Sequence, residues 1–249
     1  MIYALMIGRA GSKGFPNKNI QLVLGRKLCE YPLIAAKKSK NIDEIFVSTD
    51  CPVIEQSAKK YGASIINRPL KLCTNEALGE DAFEHAYFEI KKIAQSKNKE
   101  IELLVLLMAN APTLTSDHID QGVEILRKDA SFDSAVTTSV YNMWSPLRAR
   151  KLDKKGSLQP FVPFETFGDP NTLNCDRDSQ GDVFYADMSV SVVRPKCLEK
   201  MKNGILPQKW MGQKIAPIPS EAGCDVDFEW QIPIVEYWLL KNGYSKIGT

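Results

Sequence analysis

The sequence predicts an α/β fold in which a mostly parallel sheet is covered on both faces by helices. Two observations carry that expectation. Short runs are apolar throughout, as suits strands buried on both sides, and stretches of helical periodicity separate them, as parallel strands require of their crossovers. Ile2 to Ile7 is the first such run, ended by Gly8. A helix is expected over Pro32 to Lys40, a second strand over 45 to 50 (IFVSTD), a helix over 52 to 61, and a third strand over 63 to 69 that Pro69 halts. From Glu76 to Lys97 the apolar residues Leu78, Ala82, Phe83, Ala86, Ile90, Ile93 and Ala94 recur at three- and four-residue spacing, which predicts a long amphipathic helix. IELLVLLMA (101 to 109) is the strongest buried-strand signal. Thr115 or Ser116 should cap a helix running to about Arg127, with SAVTTSV (134 to 140) the fifth strand.

After Tyr141 the rhythm changes. Residues 141 to 182 hold four prolines, many charges and only a short hairpin candidate around RKLDKKGSLQPF, so they read as an excursion from a single domain spanning 1 to 249. VFYADMSVSVV (183 to 193) returns to strand, MGQKIAPI (211 to 218) supplies an edge strand, and an apolar helix follows CDVDFEW. Pro233 would cost a helix begun at Asp227 a backbone bond, so this last helix is expected to start nearer Glu229 or later.

Composition narrows the function classes. The chain has 249 residues, 44% of them hydrophobic, enough for a sizeable core. With 32 basic and 30 acidic residues the net charge is +2, which supplies no global field for nucleic acid or an anionic membrane. Any anion site must be local. The six cysteines are scattered, with no C-x-x-C pair, and no run of about eighteen apolar residues occurs. A soluble, cytoplasmic protein is the expectation, with neither nucleic acid nor membrane as a partner.

GRAGSKGFPNKN (8 to 19) follows the first strand directly. Gly8, Gly11 and Gly14 let backbone N–H groups approach an anion, while Arg9, Lys13 and Lys18 supply charge, a combination that suits a polyphosphate. It matches neither G-x-x-x-x-G-K-[ST] nor G-x-G-x-x-G, and a solvated glycine turn is the alternative. In CDVDFEW, Asp225 and Asp227 alternate along an extended stretch, so both carboxylates lie on one side and offer hard oxygen ligands suited to Mg²⁺. A helix N-cap beside a second acid is the competing reading. His85 and His118 read as helix-face residues, and two histidines without a cysteine cluster argue against zinc. Arg177, between Asp176 and Asp178, belongs either to a solvated loop or to a substrate clamp.

Strand-GRAGSKGFPNKN resembles the x-R-x-G-S-K-x-x-P-x-K-N signature of the acylneuraminate cytidylyltransferases, which make CMP-sialic acid and related CMP-nonulosonates. The likeness continues through IFVSTD, NRPLKLCTNEA and CDVDFEW over nearly the whole chain. It implies a Rossmann-like nucleotidyltransferase three-layer sandwich with a protruding dimerisation arm, at 141 to 182, and hence a homodimer. It also implies Mg²⁺ as cofactor, with CTP and a keto-sugar acid as the partners in a reaction that releases pyrophosphate. Carried over by position, Arg9, Ser12, Lys18 and Asn19 match the CTP-contacting loop, with Gly11 and Lys13 beside them. Arg68 matches a cytosine-side arginine, Asp225 and Asp227 the metal carboxylates, and Arg177 a sugar-side arginine. Arg9 and Lys18 would neutralise the triphosphate, and Asp227 is one of two candidate bases, a metal-bound hydroxide being the other.

The departures from the family pattern cluster on the acceptor side. Met108 replaces a glutamine near the sugar, Asp187, Met188 and Ser189 stand where N-G-A is common, and Gly79 stands where a serine can face the base. A different keto-sugar acid, a sugar phosphate, or a catalytically silent CTP-binding homologue therefore stay open as alternatives.

Overall fold

The structure, a computed structural model, describes residues 1–11 and 14–247. In chain order the elements are β1 (Ile2–Ile7), β2 (Leu22–Val23), β3 (Arg26–Lys27), α1 (Glu30–Lys38), β4 (Glu44–Thr49), α2 (Pro52–Lys60) and β5 (Ser64–Asn67). Next come α3 (Gly79–Ser96), β6 (Leu103–Met108), α4 (Ser116–Lys128), β7 (Ser134–Val140), β8 (Arg150–Leu152) and β9 (Leu158–Pro160). The chain closes with β10 (Phe184–Val193), α5 (Pro195–Glu199), β11 (Ile215–Pro219) and α6 (Ile232–Lys241).

Among the described residues one seven-stranded sheet runs in the order β11-β7-β10-β6-β1-β4-β5. β1 pairs in parallel with both β4 and β6, β4 with β5, and β7 with β11, while β10 runs antiparallel to β6 and to β7. Period-two alternation sends the apolar side chains of the central strands to opposite faces. Ile2, Ala4, Met6, Val105 and Leu107 pack with Leu33, Ile54, Ile119 and Val123 of α1, α2 and α4. On the other face Tyr3, Leu5, Leu104 and Leu106 pack with Phe83, Tyr87 and Ile90 of α3. The result is the expected helix–sheet–helix sandwich.

A third cluster lies beyond one end of the sheet. Val23, Leu24 and Leu28 of the β2–β3 ribbon pack with Val226 and with Val235, Trp238 and Leu239 of α6. The ribbon turns at Leu24 (φ 49°) and Gly25 (φ 80°), the left-handed pair that a two-residue hairpin needs.

Proline explains two helix starts, one earlier than expected and one as expected. α1 begins at Glu30, two residues early, because Pro32 still lies in the first turn, where N–H groups have no helical acceptor. Pro233 is likewise in the first turn of α6, which a 3₁₀ turn over Glu229–Gln231 precedes. α3 starts at Gly79 rather than Glu76, with Leu78 extended at its N-cap. Within 141–182 the chain forms the β8–β9 hairpin and several 3₁₀ turns, and leaves Leu152, Leu158 and Phe161 exposed.

Candidate active site

The sheet has one topological switch. The chain leaves β1 towards β4 and β5, then crosses back to place β6 on the other side of β1. Connections that part in opposite directions open a crevice beyond the carboxyl ends of those two strands. A cavity of about 480 Å³ lies there, its walls including Ile7 at the end of β1 and Met108 at the end of β6. The strand ends touch closely beneath it: a Cβ on Gly8 would lie 2.6 Å from Ala109 Cβ, so only glycine fits.

Arg9, Gly14, Lys18, Asn19, Arg68, Asn110 and Asp227 all face this cavity. Asn17 in the left-handed region (φ 57°) turns the loop into a 3₁₀ turn over Lys18–Ile20, which carries Lys18 and Asn19 back over the strand end. Asn19 is buried and donates through Nδ2 to the Arg9 carbonyl at 2.9 Å, closing the loop upon itself. Arg9 Nη1 donates to Asn75 Oδ1 at 2.7 Å, and the Ala10 amide donates to Asp50 Oδ1 at 2.9 Å. Arg68 donates through Nε to Ser48 Oγ at 3.1 Å and through Nη2 to the Ser48 carbonyl at 2.6 Å. Burial pulls its guanidinium below the ordinary arginine value, with Asp50 opposing. Ser12 and Lys13, expected in the same loop, lie outside the described residues, and Gly11 has φ 70°.

The acidic pair arrives from the other end of the chain. Val226 is buried in the α6 cluster, so alternation turns its neighbours Asp225 and Asp227 the other way. Asn110 holds this segment from both sides: its carbonyl accepts from the Val226 amide at 2.8 Å, and its Nδ2 donates to the Val226 carbonyl at 3.1 Å. Asp227 is ion-paired with Lys18 Nζ across the cavity mouth. Asp225 is half-buried, with Asn110 Nδ2 at 3.5 Å from its Oδ2. Burial and the charge of Asp227 hold its carboxyl above the usual range, against the pull of Lys18. The early cationic loop and the late D-x-D therefore meet.

The acceptor-side residues do not converge in the same way. Met108 lines the cavity. Arg177 is exposed in the excursion, pairs with Asp178 at 3.3 Å, and faces a separate cavity of about 410 Å³ together with Arg148 and Arg150. Asp187 is only 2% exposed and is bonded to Thr137, Ser139 and the Ser189 amide, away from the cavity walls. Gly79 lines the cavity, and a Cβ there would meet Ile7 at an ordinary 3.5 Å. Asn75, Asn110, Ser48 and Asp50 escaped the sequence reading. Asn110 alone carried a usable signal, a polar residue just past a buried strand.

Fold and site together define an α/β protein with an electropositive loop and a carboxylate pair at its switch point. The chain belongs to the cytidylyltransferase family, whose model matches residues 4–222. N-acylneuraminate cytidylyltransferase of Oncorhynchus mykiss is 28% identical over 249 residues, covering 98% of this chain and 51% of that protein. CMP-N,N'-diacetyllegionaminic acid synthase of Legionella pneumophila is 30% identical over 159 residues, covering 63% of this chain and 65% of that protein. The chain thus spans about half the length of the Oncorhynchus relative. Among solved structures, CMP:2-keto-3-deoxy-manno-octonic acid synthetase complexed with CTP shares the fold at TM-score 0.66 and 13% identity, over 97% of this chain and 99% of that one. A 4-diphosphocytidyl-2C-methyl-D-erythritol synthase from Anaerococcus prevotii does so at TM-score 0.61 and 16% identity, over 96% of each chain. Among the described residues no helix is long and apolar enough to cross a membrane.

Proposed function

We propose that the chain transfers CMP from CTP to the anomeric hydroxyl of a nonulosonic acid and releases pyrophosphate. The observation that carries this reading is the meeting of Arg9, Lys18, Arg68 and Asp227 around one cavity at the switch point. The names of the relatives, N-acylneuraminate and N,N'-diacetyllegionaminic acid among them, support the acceptor class.

The reaction asks for position and charge more than covalent chemistry. A triphosphate brings about four negative charges, and Arg9 and Lys18 line the cavity where they would offset them. Lys18 and Asp227 are ion-paired at the cavity wall; Asp227 is 50% exposed, so parting the pair costs at most about 1 kcal/mol. Arg68, fixed by two bonds to Ser48, presents a rigid donor to the base or its phosphates. The acceptor hydroxyl attacks the α-phosphorus, the bond from that phosphorus to the bridging β-phosphate oxygen breaks, and the hydroxyl proton passes to a base, for which Asp227, lining the cavity, is one of the two candidates.

Asp225 and Asp227 fit a divalent cation. They are hard oxygens on one side of an extended strand, and Asp225 is a half-buried carboxylate facing a second negative charge, with the Asn110 amide at 3.5 Å and the Lys18 ammonium as its opposing charge. Asp225 and Asp227 would hold Mg²⁺, which would supply positive charge against the charge that develops on the phosphates. We also assign the excursion as the contact with a second copy of the chain, because Trp144, Leu152, Leu158 and Phe161 are each exposed within it, Leu152 and Leu158 as cross-strand neighbours. Sedimentation that gives only monomer would refute that assignment.

Pyrophosphate release from CTP with Mg²⁺ and a panel of nonulosonic acids tests the reading. Formation of a CMP-sugar with at least one acid is expected. CTP binding with no product from any acid would contradict it.

A further inference from the structure

A carboxylate apart from the D-x-D sits in the sandwich, ion-paired with no cation among the described residues. Asp187 stands on a bulge of β10, where the register against β7 shifts between Ala186 and Ser191. Its Oδ1 accepts from the Thr137 hydroxyl and from the Ser189 amide at 2.9 Å, and its Oδ2 accepts from Ser139 Oγ at 3.4 Å. The network does not end on the sheet. Ser139 Oγ in turn accepts from the Gly223 amide at 3.2 Å. Thr113 Oγ1, bonded to Ser189 Oγ at 3.1 Å, accepts from the Cys224 amide at 2.8 Å. The carboxylate also abuts the chain directly: a Cβ on Gly223 would lie 2.0 Å from Asp187 Oδ2. Gly223 and Cys224 are the two residues before Asp225.

We propose that Asp187 is a positioning residue that acts through Ser139, Thr113 and Gly223 to fix the segment bearing Asp225 and Asp227. A buried anion with several donors is stiff, because loosening any donor leaves a desolvated group unpaired. The adjoining amides of 223 and 224 are thereby fastened to the sheet, as Asn110 fastens Val226. Such outer partners of metal carboxylates typically govern metal affinity by about 10–100-fold. The strain in the bulge agrees with a constrained role, since Met188 is held at φ 58°, a region disfavoured for a residue with a side chain.

This inference rests on the metal reading of Asp225 and Asp227, so its test uses two readouts besides turnover. The first is hydrogen exchange of the Gly223 and Cys224 amides in the ligand-free chain. In Ser139→Ala and Asp187→Ala both amides should exchange about tenfold faster or more, and in Asp187→Asn, which keeps the shape, less so. The second is Mn²⁺ binding followed by paramagnetic resonance with CTP present. Asp187→Ala should weaken it by about tenfold or more, with Asp187→Asn recovering most of the loss. Asp120 is also buried, at 5% exposed, and is bonded to Ser39 and Asn41, none of which lines the cavity, so Asp120→Asn should lower the melting temperature and leave the Mn²⁺ constant unchanged. Gly223→Ala should be severe alone and mild in the Asp187→Ala background, where the clashing carboxylate is gone. Unchanged exchange in Ser139→Ala, an unchanged Mn²⁺ constant in folded Asp187→Ala, or an equal effect of Asp120→Asn would each overturn the proposal. Normal Mn²⁺ behaviour with no pyrophosphate release would instead refute the cytidyl-transfer reading and leave this one standing.

Discussion

Replacing Lys18 by alanine separates catalysis from folding more cleanly than any other change in the site. Lys18 lies on a short 3₁₀ turn, its side chain 19% exposed, and its ion-pair partner Asp227 is 50% exposed. A pair so open to solvent contributes at most about 1 kcal/mol to stability. In a domain of this size that corresponds to a fall in melting temperature of roughly 2–4 °C. The same ammonium, facing a triphosphate in the cavity, is worth far more in the transition state. Loss of one such electrostatic contact typically costs about 3–4 kcal/mol, so kcat/KM should fall by roughly 100-fold or more. The assay is pyrophosphate release at saturating acceptor, with a melting curve on the same preparation. Near-normal release would refute the placement of Lys18 on the phosphates. A drop in melting temperature well beyond 10 °C would show instead that the residue holds the fold.

Four further outcomes follow from single contacts. Arg68→Ala removes both bonds to Ser48 and a charged donor from the cavity, and should raise the KM for CTP by roughly 10–100-fold with a smaller change in kcat. Gly8→Ala forces a Cβ to within 2.6 Å of Ala109 Cβ and 3.1 Å of Ile54 Cδ1, and overpacking there should destabilise by about 1–3 kcal/mol in denaturant titration. Met188→Gly relieves up to about 1 kcal/mol of left-handed strain but removes a half-buried side chain packed on the α3-side core, and the lost packing should leave a net destabilisation of about 1 kcal/mol in denaturant titration. Asp225→Asn tests the electrostatics of the acidic pair. Because the folded state raises the Asp225 pKa, its stabilising contribution is present below the unfolded value of about 4 and is lost as pH rises through the folded value. The variant should therefore melt above the parent chain at pH 7 without ligand, with the gap closing towards pH ~4, while Mg²⁺-dependent turnover is lost.

What the sequence could tell depended on how local the determining physics is. Ile2–Ile7 and the run ending in Met108 announced themselves because strands buried on both faces tolerate no polar residue, and α3 because one helical face repeats at three and four residues. The direction of β10 was not legible. Its neighbours in the sheet are set by where the 141–182 excursion returns, which no local pattern encodes. The β2–β3 ribbon was not legible, since two-residue strands carry too few side chains for alternation. In the site, the charged loop and the D-x-D were legible from residue type and spacing. The supporting shell of Ser48, Asp50, Asn75 and Asn110 was not, because each acts on a partner distant in the chain. Asp187 was read as an acceptor-side residue from its place in a family pattern, whereas its contacts are with the hydroxyls beneath the D-x-D segment.

A crystal structure of the chain with CTP and Mg²⁺ probes the convergence at its source. The triphosphate should occupy the 480 Å³ cavity between Arg9 and the acidic pair, with Lys18 Nζ released from Asp227 onto a phosphate oxygen and the cation on Asp225 and Asp227. A nucleotide bound elsewhere, with the Lys18–Asp227 pair still closed, would contradict the account.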